Sequence, residues 1–94
     1  MTAIILEEGE DDLQHGFDYY EGQRRGLGGE MIDEFRQGVQ RILEYSDAWQ
    51  SLDGTYRRYR FPYGIVYRVD RAGNQVVIVA IMHMARRPAS WRGR

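Results

Sequence analysis

The run from Gln75 to His83, QVVIVAIMH, constrains this chain more than any other segment. Its apolar residues do not alternate with polar ones, so a strand built from it has no face to offer to water. Such a strand belongs inside a sheet, with a neighbour on each edge and a layer against each face. Val76 to Met82 is also the longest uninterrupted apolar stretch, far short of the roughly 20 residues of a membrane-spanning helix. With 94 residues in all, the expected organisation is one domain over residues 1–94. A chain of that size buries roughly 60–65% of the surface its unfolded form exposes, so its stability margin is thin.

The rest of the chain supplies partners for that strand. Ala3 to Glu7 is a short apolar run and reads as a first strand. Glu8-Gly9-Glu10-Asp11-Asp12 then places acids in a first helical turn, where the helix dipole favours them. Leu13, Phe17 and Tyr20 continue on one face of a helix ending near Gln23. Gly26-Leu27-Gly28-Gly29 reads as a tight break, with Gly26 and Gly28 assigned to the turn and to positive φ. Met31, Phe35, Val39, Ile42 and Leu43 form a second stripe at helical spacing, running to about Tyr45. So short a glycine-rich loop makes the two helices an antiparallel hairpin.

After Asp53-Gly54 the pattern changes to strands. Tyr56 to Phe61 is extended and stopped by Pro62. Tyr63 to Asp70 is β-branched and aromatic, and Arg71-Ala72-Gly73-Asn74 is turn chemistry. If the last three strands follow one another as hairpins, the fourth becomes internal only when the first pairs on its free side. The expected fold is therefore α+β, with elements β-α-α-β-β-β. Its mostly antiparallel four-stranded sheet has the spatial order 1-4-3-2 and carries the helical hairpin on one face. The tail, Met84 to Arg94, is basic, with Pro88 and Trp91 expected to begin and anchor a final turn.

Charge divides the chain. The net charge is −1, yet residues 1–50 carry twelve acids and four arginines, and residues 51–94 carry two acids and nine arginines. Such a dipolar chain can orient against an acidic partner. All thirteen basic residues are arginine, so no lysine is available as a base or Schiff-base former. The absence of cysteine excludes disulfides and thiolate chemistry. No His, Asp and Glu grouping has metal-ligand spacing, so neither metal nor cofactor is expected. The N-terminus has no signal-peptide pattern, which makes the expected location cytoplasmic, without membrane association.

Four stretches resemble the RelE/ParE superfamily of toxins from bacterial type II toxin–antitoxin modules, the plasmid stabilisation protein family. They are Glu10-Asp11-Asp12-Leu13 with Tyr19-Tyr20-Glu21, then Gly26-Leu27-Gly28, then Phe61 to Arg68, then His83-Met84-Ala85-Arg86-Arg87-Pro88 with Trp91. The resemblance implies a growth-inhibiting toxin neutralised by a cognate antitoxin protein, touching DNA only indirectly through that antitoxin. ParE-like members poison DNA gyrase and RelE-like members cut messenger RNA on the ribosome. An inactive member would bind its antitoxin alone.

The arginine-rich half is the expected working surface. Alternation from Tyr59 and Phe61 as inward residues puts Arg58 and Arg60 together on the opposite face. Arg58, Arg60, Tyr63, Arg68, Arg86, Arg87 and Trp91 are the candidate contacts for a target or antitoxin. RNA cleavage would need a base, cations around the phosphorane-like transition state and an acid. In that version His83 and Arg86 are the catalytic pair, with Tyr63 and Tyr67 as possible acids or stacking groups. The lysines that serve some RelE-like members are missing, which tilts the expectation toward a ParE-like toxin that grips a protein such as gyrase. An enzyme acting on messenger RNA at the ribosome stays the alternative.

Overall fold

A computed structural model describes residues 1–52, 54–60, 64–82 and 94. Its elements are β1 (Thr2–Ile5), α1 (Glu7–Gln23), α2 (Leu27–Glu44), β2 (Gln50–Ser51), β3 (Tyr56–Arg60), β4 (Gly64–Asp70) and β5 (Gln75–Met82). The sheet order is β1-β5-β4-β3-β2. β1 runs parallel to β5, and the other pairings are antiparallel.

The apolar run accordingly lies between β1 and β4, and the expected order of the four longer strands holds. The strand count needs correction, because β2 adds a fifth strand at the edge beyond β3. It consists of Gln50 and Ser51 opposite Arg58 and Arg57, with Leu52 N–H bonded to the Tyr56 carbonyl at 2.8 Å. Two polar residues carry no periodicity, so sequence pattern could not reveal this strand.

β5 is buried from Val76 to Ile81. Val76, Ile78 and Ile81 join Met31, Ile42, Tyr59, Ile65 and Tyr67 under the helical hairpin. Val77, Val79 and Ala80 join Val66 on the other, distal face, where Leu6, Leu52, Tyr56 and Met82 pack. The alternation along β5 breaks at Val79 and Ala80 because the ladder is irregular there. Val66 pairs with Ala80 and Tyr67 with Ile78, which leaves Val79 without a partner on β4. This is the extra residue of a β-bulge.

The helices reach the sheet and each other through glycine. A Cβ on Gly9 would lie 3.1 Å from Ile5 and 3.3 Å from the Ile78 carbonyl; one on Gly38 would lie 2.8 Å from Tyr59 and Ile65. The interhelical turn is built differently from expectation. Gly26 does take positive φ, at 91°. Gly28, however, lies inside α2, and its missing side chain leaves room for Phe17, whose ring and carbonyl a Cβ would meet at 2.8 and 2.9 Å. The carboxylate of Glu21 accepts from Gly26 N–H and Gly28 N–H at 3.0 Å each, which caps the start of α2 in place of a serine or aspartate.

The β4–β5 turn is closed by Asp70, which accepts from Gly73 N–H and from Gln75 Nε2, both at 3.0 Å. The Gly73 bond, followed by the Gln75 bond, holds the Asp70 carboxyl below its usual range. Asn74 supplies the left-handed residue, at φ 51°.

Two neighbouring glycines of α2 should respond in opposite directions to alanine. Gly29 has nothing within 4 Å of its would-be Cβ, so Gly29→Ala should raise stability by up to about 1 kcal/mol through helix propensity. Gly28→Ala should lower it by about 1–3 kcal/mol, because Phe17 and its backbone cannot both move aside. Urea unfolding midpoints of the two variants check this.

Candidate functional site

The distal face of β3 and β4 carries Arg58 and Arg68. Arg58 neighbours Gln50 on β2 and Val66 on β4, and Arg68 faces Tyr56 across the β3–β4 ladder. Tyr59 is buried under the hairpin at 3% exposure, so alternation sends Arg58 to the distal side, as its sequence position implies. The arginine stem lies flat there because residue 64 is glycine. A Cβ on Gly64 would sit 3.0 Å from Arg58 Cδ and 3.3 Å from Met82 Cβ.

The guanidinium head is held at one end. Arg58 Nη2 donates to Gln50 Oε1 at 3.1 Å, whereas its Nε is buried without a hydrogen-bond partner among the described residues. A buried donor left unpaired costs about 1–3 kcal/mol. Arg57 points to the helix side instead and ties the edge together, donating to the Trp49 carbonyl at 2.8 Å. Trp49 in turn stands edge-on to Tyr59, with ring centroids 4.7 Å apart.

Tyr67 does not belong to this surface. It is fully buried under the hairpin, and its hydroxyl donates to the Ser46 carbonyl at 2.6 Å. Burial, opposed by Arg57 and helped by Asp47, pushes its pKa up to about 12. The expectation that Tyr67 could serve as an acid or stacking group is therefore corrected: it is a structural tyrosine. Arg60 contributes its backbone to the ladder opposite Gly64. Tyr63, His83, Arg86, Arg87 and Trp91 lie outside the described residues.

One residue of the site escaped the sequence reading. Asp12, counted there among the acids of the first helical turn, is 1% exposed. Its Oδ2 accepts from Ile81 N–H at 3.2 Å and from Arg94 Nη1 at 2.6 Å. The signal was present, since Asp12 falls three residues from Gly9 and four from Gly16, both buried on α1, and so shares the inward face.

Among the described residues, two apolar grooves open on the hairpin. One, of about 340 Å³, runs along α2 past Phe35, Val39 and Gln40. The other, of about 300 Å³, lies between the helices and is lined by Leu13, Phe17 and Ile32 with Glu10 at its rim. No helix among the described residues is long and apolar enough to cross a membrane.

A family described as the ParE toxin of the type II toxin–antitoxin system, parDE, matches residues 4–88. The chain belongs to the ParE toxin family. Its fold resembles a solved structure described as the chromosomal ParDE TA system from P. aeruginosa, with a TM-score of 0.60 and 16% identity, covering 88% of this chain and 95% of that one. At that identity the likeness shows a shared fold alone. No curated protein matches the sequence. Within this ParE family member, the match spans both helices and every strand but the first residues of β1.

Tyr67→Phe should cost about 1–2 kcal/mol at neutral pH by leaving the Ser46 carbonyl without its donor. The folded-state pKa of about 12 lies above the ordinary value of 10.0, so the folded protein keeps this proton longer than the unfolded chain does. The associated stability is complete below the ordinary value and drains away as pH rises from about 10 toward 12. Urea midpoints measured across that window should fall for the parent, and the Tyr67→Phe variant should lack this component of the fall.

Proposed function

We propose that this ParE toxin inhibits growth by gripping a protein target such as DNA gyrase, and that a cognate antitoxin neutralises it. The observation that carries the reading is the family match over residues 4–88. Two features of the geometry support binding over chemistry. Tyr67 is buried and committed to a carbonyl, which removes one general acid from the distal face. Arg58 lies over Gly64 with its Nη2 on the exposed Gln50 amide, a guanidinium head that an aspartate or glutamate of a partner can engage.

Neutralisation fits the same surface chemistry. An amphipathic segment of the antitoxin can place apolar anchors in the grooves beside Phe35 and Leu13 and pair acids with the arginines of the other half. Contacts of the second kind weaken with salt when they lie at the rim of an interface.

The test is a gyrase supercoiling reaction with the purified protein, followed by trapping of cleaved DNA. Inhibition is expected, and Arg58→Ala should weaken it roughly tenfold, equivalent to about 1.4 kcal/mol. Intact supercoiling together with cuts inside the codons of translated messages would overturn the proposal in favour of ribosome-dependent cleavage. Growth without arrest in a sensitive host would point to a member that only binds its antitoxin.

A further inference from the structure

β1 ends at Ile5, opposite Ile78, although β5 continues to Met82. Beyond Ile78 no strand among the described residues lies beside the outer edge of β5, and its backbone groups need other partners. Leu6 N–H takes the Ile78 carbonyl at 3.0 Å. The next two groups on that edge are met by side chains. Ile81 N–H donates to Asp12 Oδ2 at 3.2 Å, and the Val79 carbonyl accepts from Arg94 Nη1 at 3.1 Å. The same Nη1 reaches Asp12 Oδ2 at 2.6 Å.

We propose that Asp12, Val79 and Ile81 form a guanidinium-binding site, and that Arg94 occupies it as a strap closing the distal face of the sheet. The ligand class follows from the donor and acceptor pattern. A carboxylate oxygen and a carbonyl oxygen converge on one nitrogen, Arg94 Nη1, whose two N–H groups can each meet one of them, and the Ile81 N–H orients that carboxylate. Val79 is free to offer its carbonyl because it is the bulged residue, unpaired with β4. Burial makes the contact consequential, since the Asp12 side chain is 1% and the Arg94 side chain 14% exposed. A charge pair so sheltered is far less screened than a surface one, and removing one partner leaves a buried charge behind.

Arg94 is also anchored at its other end. Its main-chain carboxyl oxygen accepts from the Tyr56 hydroxyl on β3 at 3.4 Å. One residue therefore spans from β3 to the far edge of β5, over the face where Val66, Val77 and Val79 are buried. The methylene stem of an arginine suits that role, because it covers apolar surface while the head stays paired.

The test uses the full chain and its Arg94→Ala and Arg94→Lys variants, with amide hydrogen exchange at Ile81 as the readout. Arg94→Ala should speed that exchange about tenfold or more by loosening the carboxylate that accepts from it. Millimolar guanidinium chloride, far below denaturing levels, should slow it again in the alanine variant, whereas sodium chloride at equal ionic strength should not. Arg94→Lys should fall between the parent and Arg94→Ala, because both contacts come from the single Nη1 and the shorter lysine stem brings its ammonium only part of the way to that position. Adding Asp12→Asn to Arg94→Ala should cost less than the separate effects together. Unchanged exchange in Arg94→Ala, equal effects of the two salts, or full additivity of the double variant would each overturn the site.

Discussion

Strand β5 is buried from Val76 to Ile81, and so needs cover on two faces and partners on two edges. Each buried valine or isoleucine contributes about 1.5–3 kcal/mol when it leaves water, which makes this strand the largest local reason for the chain to fold. The remaining elements answer its demands. The helical hairpin covers Val76, Ile78 and Ile81, approaching closely because Gly9 offers no Cβ to the Ile78 carbonyl. β4 pairs along the full length of one edge, and β1 along the first half of the other. The parallel β1–β5 pairing in turn requires the intervening chain to cross over the sheet, which the helices accomplish.

The second half of the free edge is where this fold departs from a simple ladder. A bulge at Val79 turns a carbonyl out of the β4 pairing, and a carboxylate from α1 reaches the next amide. Side chains thus complete what β1 leaves undone. That arrangement joins the acidic and arginine-rich halves of the chain through Asp12 and Arg94, 82 positions apart. The charge division visible in composition therefore has one internal use, besides whatever it does for partners. Elsewhere the arginines work on the surface: Arg58 lies flat over Gly64, and Arg57 fastens the Trp49 carbonyl.

Much of this was legible in the residues. The stripes Leu13–Phe17 and Met31–Phe35–Val39 located both helices, and the non-alternating run located the internal strand. Both follow from periodicity, which burial imposes directly on sequence. What escaped depended on contacts between distant segments. Gly28 reads as a turn glycine beside Gly26, yet its position is set by the ring of Phe17. Tyr67 reads as a reactive phenol, yet the Ser46 carbonyl claims its proton. Asp12 is one of five acids near the start of α1, and only its place on the inward helical face distinguishes it. β2 is too short to leave any pattern. At the site, Arg58 was found on the expected face, whereas its buried Nε and the glycine beneath it emerge only from the assembled sheet.

Native-state hydrogen exchange tests the central claim, that β5 holds the fold together. The amides of Val76, Val77, Ile78 and Ala80 that bond to β1 or β4 should be the slowest in the parent protein and should exchange only with global unfolding, following its urea dependence. Amides at the ends of α1 and in β2 should open earlier and independently of urea. If the β5 amides instead exchanged through small local openings while helix amides tracked global unfolding, the hairpin and not the buried strand would be the stabilising centre.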